Sequence, residues 1–270
     1  ASGECTEIFH EGIRVPAVRV RRDGELNEEF LRILLANLRQ PFEAKGVFLA
    51  QSNTTLIAKE SIEKLYDRYG SSTVDRCVEI LLENAEIHAR ARIKALPDGE
   101  YYFEDYLENG GVNWPRPVAV RCKMTVDGDR LHFDFAGTSP QIDGVANCAL
   151  TNTWAAVFDV VDTYLAPGGV SNFGAARAFT IDAPEASVVN SKFPVPINGY
   201  ATVMFGPIHG CIQGCLSQVM PDEVSGLTTS SANQTNIGGM GGKYRQDEYW
   251  LVYEFPCGGW GATQENDGSL

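Results

Sequence analysis

The chain has 270 residues, of which 44 % are hydrophobic, 21 % charged and 10 % aromatic. A folded chain of that length hides roughly 70–75 % of the surface its unfolded form exposes, so it carries a full core rather than a disulfide-stapled one. No apolar run reaches the roughly 18–20 residues that a membrane helix needs. Lys and Arg number 22 against 35 Asp and Glu, a net charge of -13, so most of the surface repels a phosphate backbone and nucleic acid is not an expected partner.

The first strong signal is a helix from Asn27: a capping asparagine, Glu28 and Glu29 in the first turn, then Phe30, Leu31, Leu34, Leu35 and Leu38 on one stripe before Pro41. A longer helix is expected over much of 43–69, with Ile57, Ile62, Leu65, Tyr66 and Tyr69, ending where Gly70 can adopt a left-handed conformation. Ser72 and Asp75 read as a capping box for a third helix, with Val74, Cys77, Val78, Leu81, Leu82 and Ala85 as its buried face, up to the turn Pro97-Asp98-Gly99.

Beyond that turn the period changes. Val118, Val120, Cys122, Met124 and Val126 alternate, Asp127-Gly128-Asp129 reverses the chain, and Leu131, Phe133 and Phe135 follow, the pattern of a β-hairpin. A helix is expected over 147–165, a strand near 177–182, a helix from Pro207 to Met220 and a last strand from Tyr249 to Phe255. Helices fill the N-terminal third and hairpin-like strands come later with little βαβ alternation, which predicts an α+β fold: a mainly helical part over 1–99, then 100–270 with mixed or antiparallel sheet and packed helices.

Seven scattered cysteines (Cys5, Cys77, Cys122, Cys148, Cys211, Cys215, Cys257), with no leader-like N-terminus, fit free thiols in a cytoplasmic protein, and the sequons at Asn53 and Asn233 then carry no glycan. The run Gly238-Gly239-Met240-Gly241-Gly242-Lys243 looks like a phosphate loop, but Ile237 and Tyr244 stand where that motif needs Gly and Ser or Thr, so a connection between strands is expected. His209, Cys211 and Cys215 are zinc-ligand types, yet on one helix His209 lies about 200° round from Cys211, and buried cysteines beside Gly206, Gly210 and Gly214 are the preferred reading. His10, His88 and His132 stand apart in sequence and are read as structural.

Two stretches hold chemistry that packing alone does not require. In Glu7-Ile8-Phe9-His10-Glu11-Gly12-Ile13-Arg14, the carboxylates of Glu7 and Glu11 and the guanidinium of Arg14 suit a polar substrate or the support of a metal site, or else a salt-bridged extended segment. At the other end Glu254 sits in an apolar strand, and Cys257-Gly258-Gly259-Trp260-Gly261-Ala262 with Asp267-Gly268 form a loop whose backbone amides can approach a ligand or another chain, or else a tight turn.

Together these segments resemble the hydantoinase B/oxoprolinase family, the B-type component of ATP-dependent cyclic-amide hydrolases and of related acetone- and acetophenone-type carboxylases. The words that carry the likeness are EIFHEGIRVP (7–16), LLANLRQP (34–41), AQ (50–51), YG (69–70), PDG (97–99), DFAGTSPQIDGVAN (134–147), NFG (172–174) and GGWGATQENDG (258–268). Before Ala50-Gln51, where the family usually shows Gly-Asp-Leu, this chain has Gly46-Val47-Phe48-Leu49.

The resemblance implies a hetero-oligomer in which an A-type partner binds ATP and activates the substrate by phosphorylation, and the B-type component carries a divalent-metal site whose His/Asp motifs lie upstream of the EIFHEG-like segment. It implies that this chain is the middle of such a subunit, with no metal ligands of its own. The expected substrate is a cyclic amide of the hydantoin or 5-oxoproline type; the alternatives are the carboxylase branch and a non-catalytic docking piece. Glu7, Glu11, Arg14, Gly258, Gly259, Gly261 and Asp267 are the candidates for binding substrate or supporting the site.

Overall fold

A computed structural model describes residues 4–168, 171–226, 235–241, 249–254, 258–259 and 261–268. Chain contacts group them into two units, one of residues 1–11, 80–237 and 252–270, the other of 12–79 and 238–251. The fold is α+β. In chain order the elements are β1 (Arg21–Arg22), β2 (Glu25–Leu26), α1 (Glu28–Ala36), α2 (Pro41–Tyr69), α3 (Ser71–Ile93), β3 (Gly99–Leu107), β4 (Val118–Asp127), β5 (Arg130–Asp134), α4 (Leu150–Leu165), β6 (Phe179–Asp182), α5 (Phe205–Leu216), β7 (Thr235–Met240) and β8 (Tyr249–Glu254). No helix among the described residues is long and apolar enough to cross a membrane.

The larger unit is built on a four-stranded sheet in the order β3-β4-β5-β6. β3, β4 and β5 run antiparallel and β6 joins β5 in parallel, so the sheet is mixed. The hairpin forms where alternation predicts it: Asp127 faces Arg130, Gly128 takes a positive φ of 59°, and Val118, Val120, Cys122, Met124, Val126, Leu131 and Phe133 are all buried. Onto this apolar face packs α5, through Ile208, Cys211, Ile212, Cys215 and Leu216; α4 packs against α5, its Ala156, Val157, Val160, Val161 and Leu165 joining the same core, and its Trp154 ring meets Phe179 of β6. α5 lies close to β3 because Gly214 faces the ring of Phe103; a β-carbon there would sit 2.3 Å from the ring.

β3 has no counterpart in the sequence-based reading, because its aromatic and acidic residues (GEYYFEDYL) do not alternate as a half-buried strand does and most remain exposed. α4 starts at Leu150 rather than 147, since Asn147 is spent on the preceding loop, and α5 opens two residues before Pro207 and ends at Leu216.

The smaller unit holds α1 and α2. Asn27 caps α1 as expected, its side-chain oxygen accepting the Phe30 N–H at 3.1 Å, while Leu31 is buried and Phe30 meets Phe48 at 6.0 Å between ring centroids. Pro41 does not close α1, which ends at Ala36; it opens α2, where a missing N–H costs nothing. Gly70 ends α2 with a positive φ of 78°, and its N–H donates to the Tyr66 carbonyl.

The capping box of the third helix does not form. α3 starts at Ser71, directly after Gly70, and the Asp75 carboxylate instead accepts the Tyr66 hydroxyl at 3.0 Å. Its expected buried face also shifts: Cys77, Val78 and Leu81 are exposed, Val74, Leu82 and Ala85 half-buried, and the fully buried residues are Ala89 and Ile93, further along. Close packing of α3 in the larger unit begins at Leu82, whose carbonyl lies 2.0 Å from the position a β-carbon on Gly174 would take.

Gly238 and Gly239 lie within β7 rather than in a connection, beside β8: the Gly238 β-carbon position is 3.0 Å from the Trp250 carbonyl and that of Gly239 is 3.3 Å from the Trp250 ring. Gly242, Lys243, Phe255, Cys257 and Trp260 lie outside the described residues.

Gly214→Ala is expected to destabilise the protein by about 1–3 kcal/mol, because a methyl group there must displace a ring held on the sheet. Urea denaturation of Gly214→Ala, Phe103→Ala and the double variant checks it: the cost of the methyl should shrink once the ring is gone.

Candidate functional site

The segment that carries Glu7 and Glu11 is tied to the loop that precedes α5. Residues Ile8–Glu11 form one 3-10 turn; the Ile8 N–H donates to the Pro194 carbonyl at 2.7 Å, and Phe9 meets Phe193 edge-to-face at 5.7 Å. The Glu11 carboxylate accepts the Asn198 backbone N–H at 2.6 Å, and Glu7 stands 3.4 Å from the His10 ring nitrogen. The structure therefore brings Glu7, Glu11 and His10 onto one turn. Arg14 is exposed and belongs to the other contact unit.

That receiving loop is organised from below by Asn147. Its side-chain oxygen accepts the Ile142 N–H at 2.9 Å, and its amide nitrogen donates to the carbonyls of Ile142 (2.9 Å), Gly144 (2.8 Å) and Pro196 (3.2 Å). The residue is fully buried, so in a low dielectric these bonds replace water that cannot enter. Gly199 completes the contact: its β-carbon position lies 1.9 Å from the Val145 carbonyl, so only glycine lets the two loops meet.

Gly261, of the C-terminal glycines, occupies a second place. The Gly226 N–H donates to the Ala262 carbonyl at 2.8 Å, and a β-carbon on Gly261 would fall 1.7 Å from the Gly226 carbonyl, so that Gly261 is required by close approach of two backbones. Thr263 and Asn266 then close a turn, with Asp267 exposed beyond it. Gly226 in turn borders a cleft of about 340 Å³ between β3 and α5, lined by Phe103, Glu104, Asp105, Gly210, Gln213 and Ser217 among others. Its polar groups are mostly acceptors. The side chain of Tyr106, then Arg121 and the Tyr102 hydroxyl, hold the Glu104 carboxyl below the usual carboxylate range, and the Gln213 side-chain oxygen is buried with no hydrogen-bond partner. Arg121, at 2.9 Å, is the ion-pair partner that keeps Glu104 oriented at this mouth.

His209, Cys211 and Cys215 do not converge. The His209 ring faces the Asp159 carboxylate at 3.1 Å and the Phe205 carbonyl at 2.9 Å, whereas the thiols of Cys211 and Cys215 donate to sheet carbonyls, Cys211 to Val120 at 3.2 Å and Cys215 to Tyr101 at 3.4 Å. Burial pushes the Cys148 thiol up to about 11 and raises that of Cys211 further, with the Asp105 carboxylate adding to it. These are packing groups rather than ligands or nucleophiles. Among the described residues no three His, Cys, Asp or Glu side chains gather as a metal ion requires, so the divalent metal that the resemblance implies has no donor set in them.

Sequence reasoning does not single out Asn147, Gln213 or the His209–Asp159 pair. Asn147 closes the word DFAGTSPQIDGVAN, and an asparagine between apolar residues is a signal in itself, since a buried amide needs several partners. Gln213 and Asp159 carry no such mark, because a polar residue on a helix reads equally well as solvated.

The family model described as hydantoinase B/oxoprolinase matches residues 1–270. The chain is 26 % identical over 267 residues to the beta subunit of the caprolactamase of Pseudomonas jessenii, covering 98 % of this chain and 45 % of that one. It is 28 % identical over 277 residues to the B-type subunit of a putative D-/L-hydantoinase from a Pseudomonas species, again covering 98 % and 45 %. The chain thus spans under half the length of these relatives. In fold it matches the crystal structure of the ATP-dependent caprolactamase from Pseudomonas jessenii with a TM-score of 0.81 at 24 % identity, over 92 % of this chain and 42 % of that one. It matches the nucleotide-free structure of an ATP-dependent acetone carboxylase with a TM-score of 0.85 at 18 % identity, over 99 % and 37 %.

Two outcomes follow from this geometry. Asn147→Ala should cost about 3 kcal/mol in chemical denaturation, and Asn147→Asp should not restore it, since a carboxylate would face the three carbonyl oxygens that the amide now serves. Iodoacetamide at pH 8 should alkylate exposed Cys77 well before Cys148 or Cys211, which should react only on unfolding; peptide mass spectrometry reads the order.

Proposed function

Because the chain belongs to the hydantoinase B/oxoprolinase family, we propose that it forms part of the B-type subunit of an ATP-dependent enzyme that opens cyclic amides of the hydantoin or 5-oxoproline type. The observation that carries this reading is the match of the whole chain, 1–270, to that family, together with 98 % coverage by two subunits named for lactam and hydantoin substrates. The working unit is then a cytoplasmic hetero-oligomer with an A-type subunit, which binds the ATP.

Opening an unstrained amide calls for an activated carbonyl and a stabilised oxyanion. Activation belongs to ATP chemistry on the partner; the residues of this chain supply binding and orientation. Glu11, fixed by the Asn198 amide, and Glu7 on the same turn offer carboxylates that can receive a ring N–H. Arg14 offers a guanidinium for a substrate carboxylate or carbonyl. Gly258, Gly259 and Gly261 are proposed to offer backbone amides to the substrate or the partner, with Asp267 exposed beyond them; of the three glycines, Gly261 is the one seen against Gly226, which borders the β3–α5 cleft. No step is assigned to a metal, since the described residues provide no donor set for one.

A second reading, the carboxylase branch, is favoured by one observation: 28 % identity over 140 residues to the acetophenone carboxylase delta subunit of Aromatoleum aromaticum. Substrate-dependent ATP hydrolysis by the full B-type subunit with its A-type partner separates the two. Turnover with hydantoin, 5-oxoproline or caprolactam supports the amidohydrolase; turnover only with a ketone plus bicarbonate supports the carboxylase; turnover unchanged when the B-type subunit is left out identifies a docking piece. In the active complex Glu11→Ala should lower kcat/KM about tenfold or more, because a carboxylate that orients a site loses its hold on geometry.

A further inference from the structure

The face of β3 that meets α5 carries one residue out of keeping with a core. Asp105 pairs in register with Val120, and Phe103 with Cys122, and both partners are buried, so the Asp105 carboxylate and the Phe103 ring stand on the side of the sheet that α5 covers. α5 brings Gly210 and Gly214 to this place, and the space left is the cleft of about 340 Å³ that Gly226 borders. Small-molecule sites run to roughly 300–1,000 Å³, so the cleft has room for a compact ligand.

What the lining lacks is donors. Among the described residues that form it there is no lysine, arginine or histidine. One oxygen of Asp105 accepts the neighbouring Tyr106 N–H at 2.7 Å, and the other has no hydrogen-bond partner among the described residues. Gln213 donates its amide nitrogen to the Tyr164 hydroxyl at 3.1 Å, that hydroxyl lies 3.3 Å from the Ser225 hydroxyl, and the Gln213 side-chain oxygen stays buried with no partner. A carboxylate and a buried amide oxygen left without donors are costly to a fold, and each is relieved by a ligand that donates.

We infer that this cleft binds a small primary alkylammonium, with its N–H groups on Asp105 and the Gln213 oxygen and its carbon chain beside the Phe103 ring. An ammonium carries three donors and no acceptor, the complement of this set, and an aromatic ring attracts it further. With one Asp105 oxygen already engaged, a compact ammonium suits the site better than a guanidinium fork, which takes both. A metal ion is poorly served: Glu104 at the mouth is paired with Arg121, and no three His, Cys, Asp or Glu side chains gather among the described residues. The net charge of -13 draws cations toward the chain. Binding here is separable from the cyclic-amide reading, and the test uses no turnover, so each can fail alone.

Gln213 is the reporter. Its side-chain amide gives a pair of signals in a nitrogen-proton correlation spectrum, assigned as the pair missing from Gln213→Leu. The full chain is titrated with n-butylammonium chloride and, separately, with n-butanol, at neutral pH with sodium chloride holding the ionic strength constant. The expected result is a saturable shift of the Gln213 signals with butylammonium and none with butanol over the same range. Affinity should fall at least about tenfold in Asp105→Asn, which keeps the shape and loses the charge, and should be unchanged in Asp127→Asn, which loses the same charge at the β4–β5 turn. The inference is overturned if butylammonium gives no saturable shift, as for a cleft filled by water alone, or if butanol shifts the signals equally. It is also overturned if Asp105→Asn binds as tightly as the parent, or if Asp127→Asn weakens binding as much, which would mark diffuse attraction to an acidic surface. The comparison of the two probes on the parent chain decides the matter by itself should Asp105→Asn fail to fold.

Discussion

The arrangement of the larger unit depends on how near α5 comes to β3 and β4. Ordinary side chains hold packed elements about 10 Å apart. Here small residues, Gly214, Cys211 and Cys215, stand among the larger Ile208, Ile212 and Leu216 on the packed side of α5. The two thiols are small enough to slip against the sheet and polar enough to donate to strand carbonyls. Gly214 admits the Phe103 ring. Because α5 is seated in this way, Gly210 and Gln213 border the cleft along β3 and the chain leaves the helix toward Gly226, where Gly261 and Ala262 meet it.

The same economy of atoms organises the other end of α5. The loop that leads into the helix carries Pro194, Pro196 and Asn198, and each is engaged by a different partner: Ile8, Asn147 and Glu11. A single buried amide thus links the loop after Phe135 to the loop before α5, and the N-terminal turn is laid over the outside. Glu11 is placed by backbone contacts on both sides, which is how a carboxylate on a short turn acquires a fixed direction.

What can be read from the sequence follows from which signals are local. The hairpin of β4 and β5 is legible because a buried face and a turn with a glycine at positive φ lie within a few residues of one another. Asn27 is legible for the same reason. The buried face of α3 shifts from its expected place because amphipathic spacing says which side of a helix is apolar and not where along its length neighbours arrive; packing in the larger unit begins only near Leu82. β3 is illegible because it is an edge strand whose aromatic and acidic residues stay mostly exposed and show no apolar alternation. At the candidate site, the turn of Glu7 and Glu11 stands out by composition. Its tie to Asn198 joins residues nearly two hundred apart, and that loop is in turn held by Asn147, so neither dependence leaves a pattern in the linear chain.

The parallel pairing of β6 with β5 has a consequence for how the protein is made. An antiparallel neighbour can be added through a tight turn, as β5 is to β4, but a parallel one must wait for the whole stretch 135–178 to cross over. That stretch contains the Asn147 loop and α4. Closing it costs more chain entropy than the tight β4–β5 turn before any β5–β6 contact is gained. The β5–β6 contact is thus the pairing in the sheet with the longest intervening chain, and the residues that order the candidate site lie inside that chain.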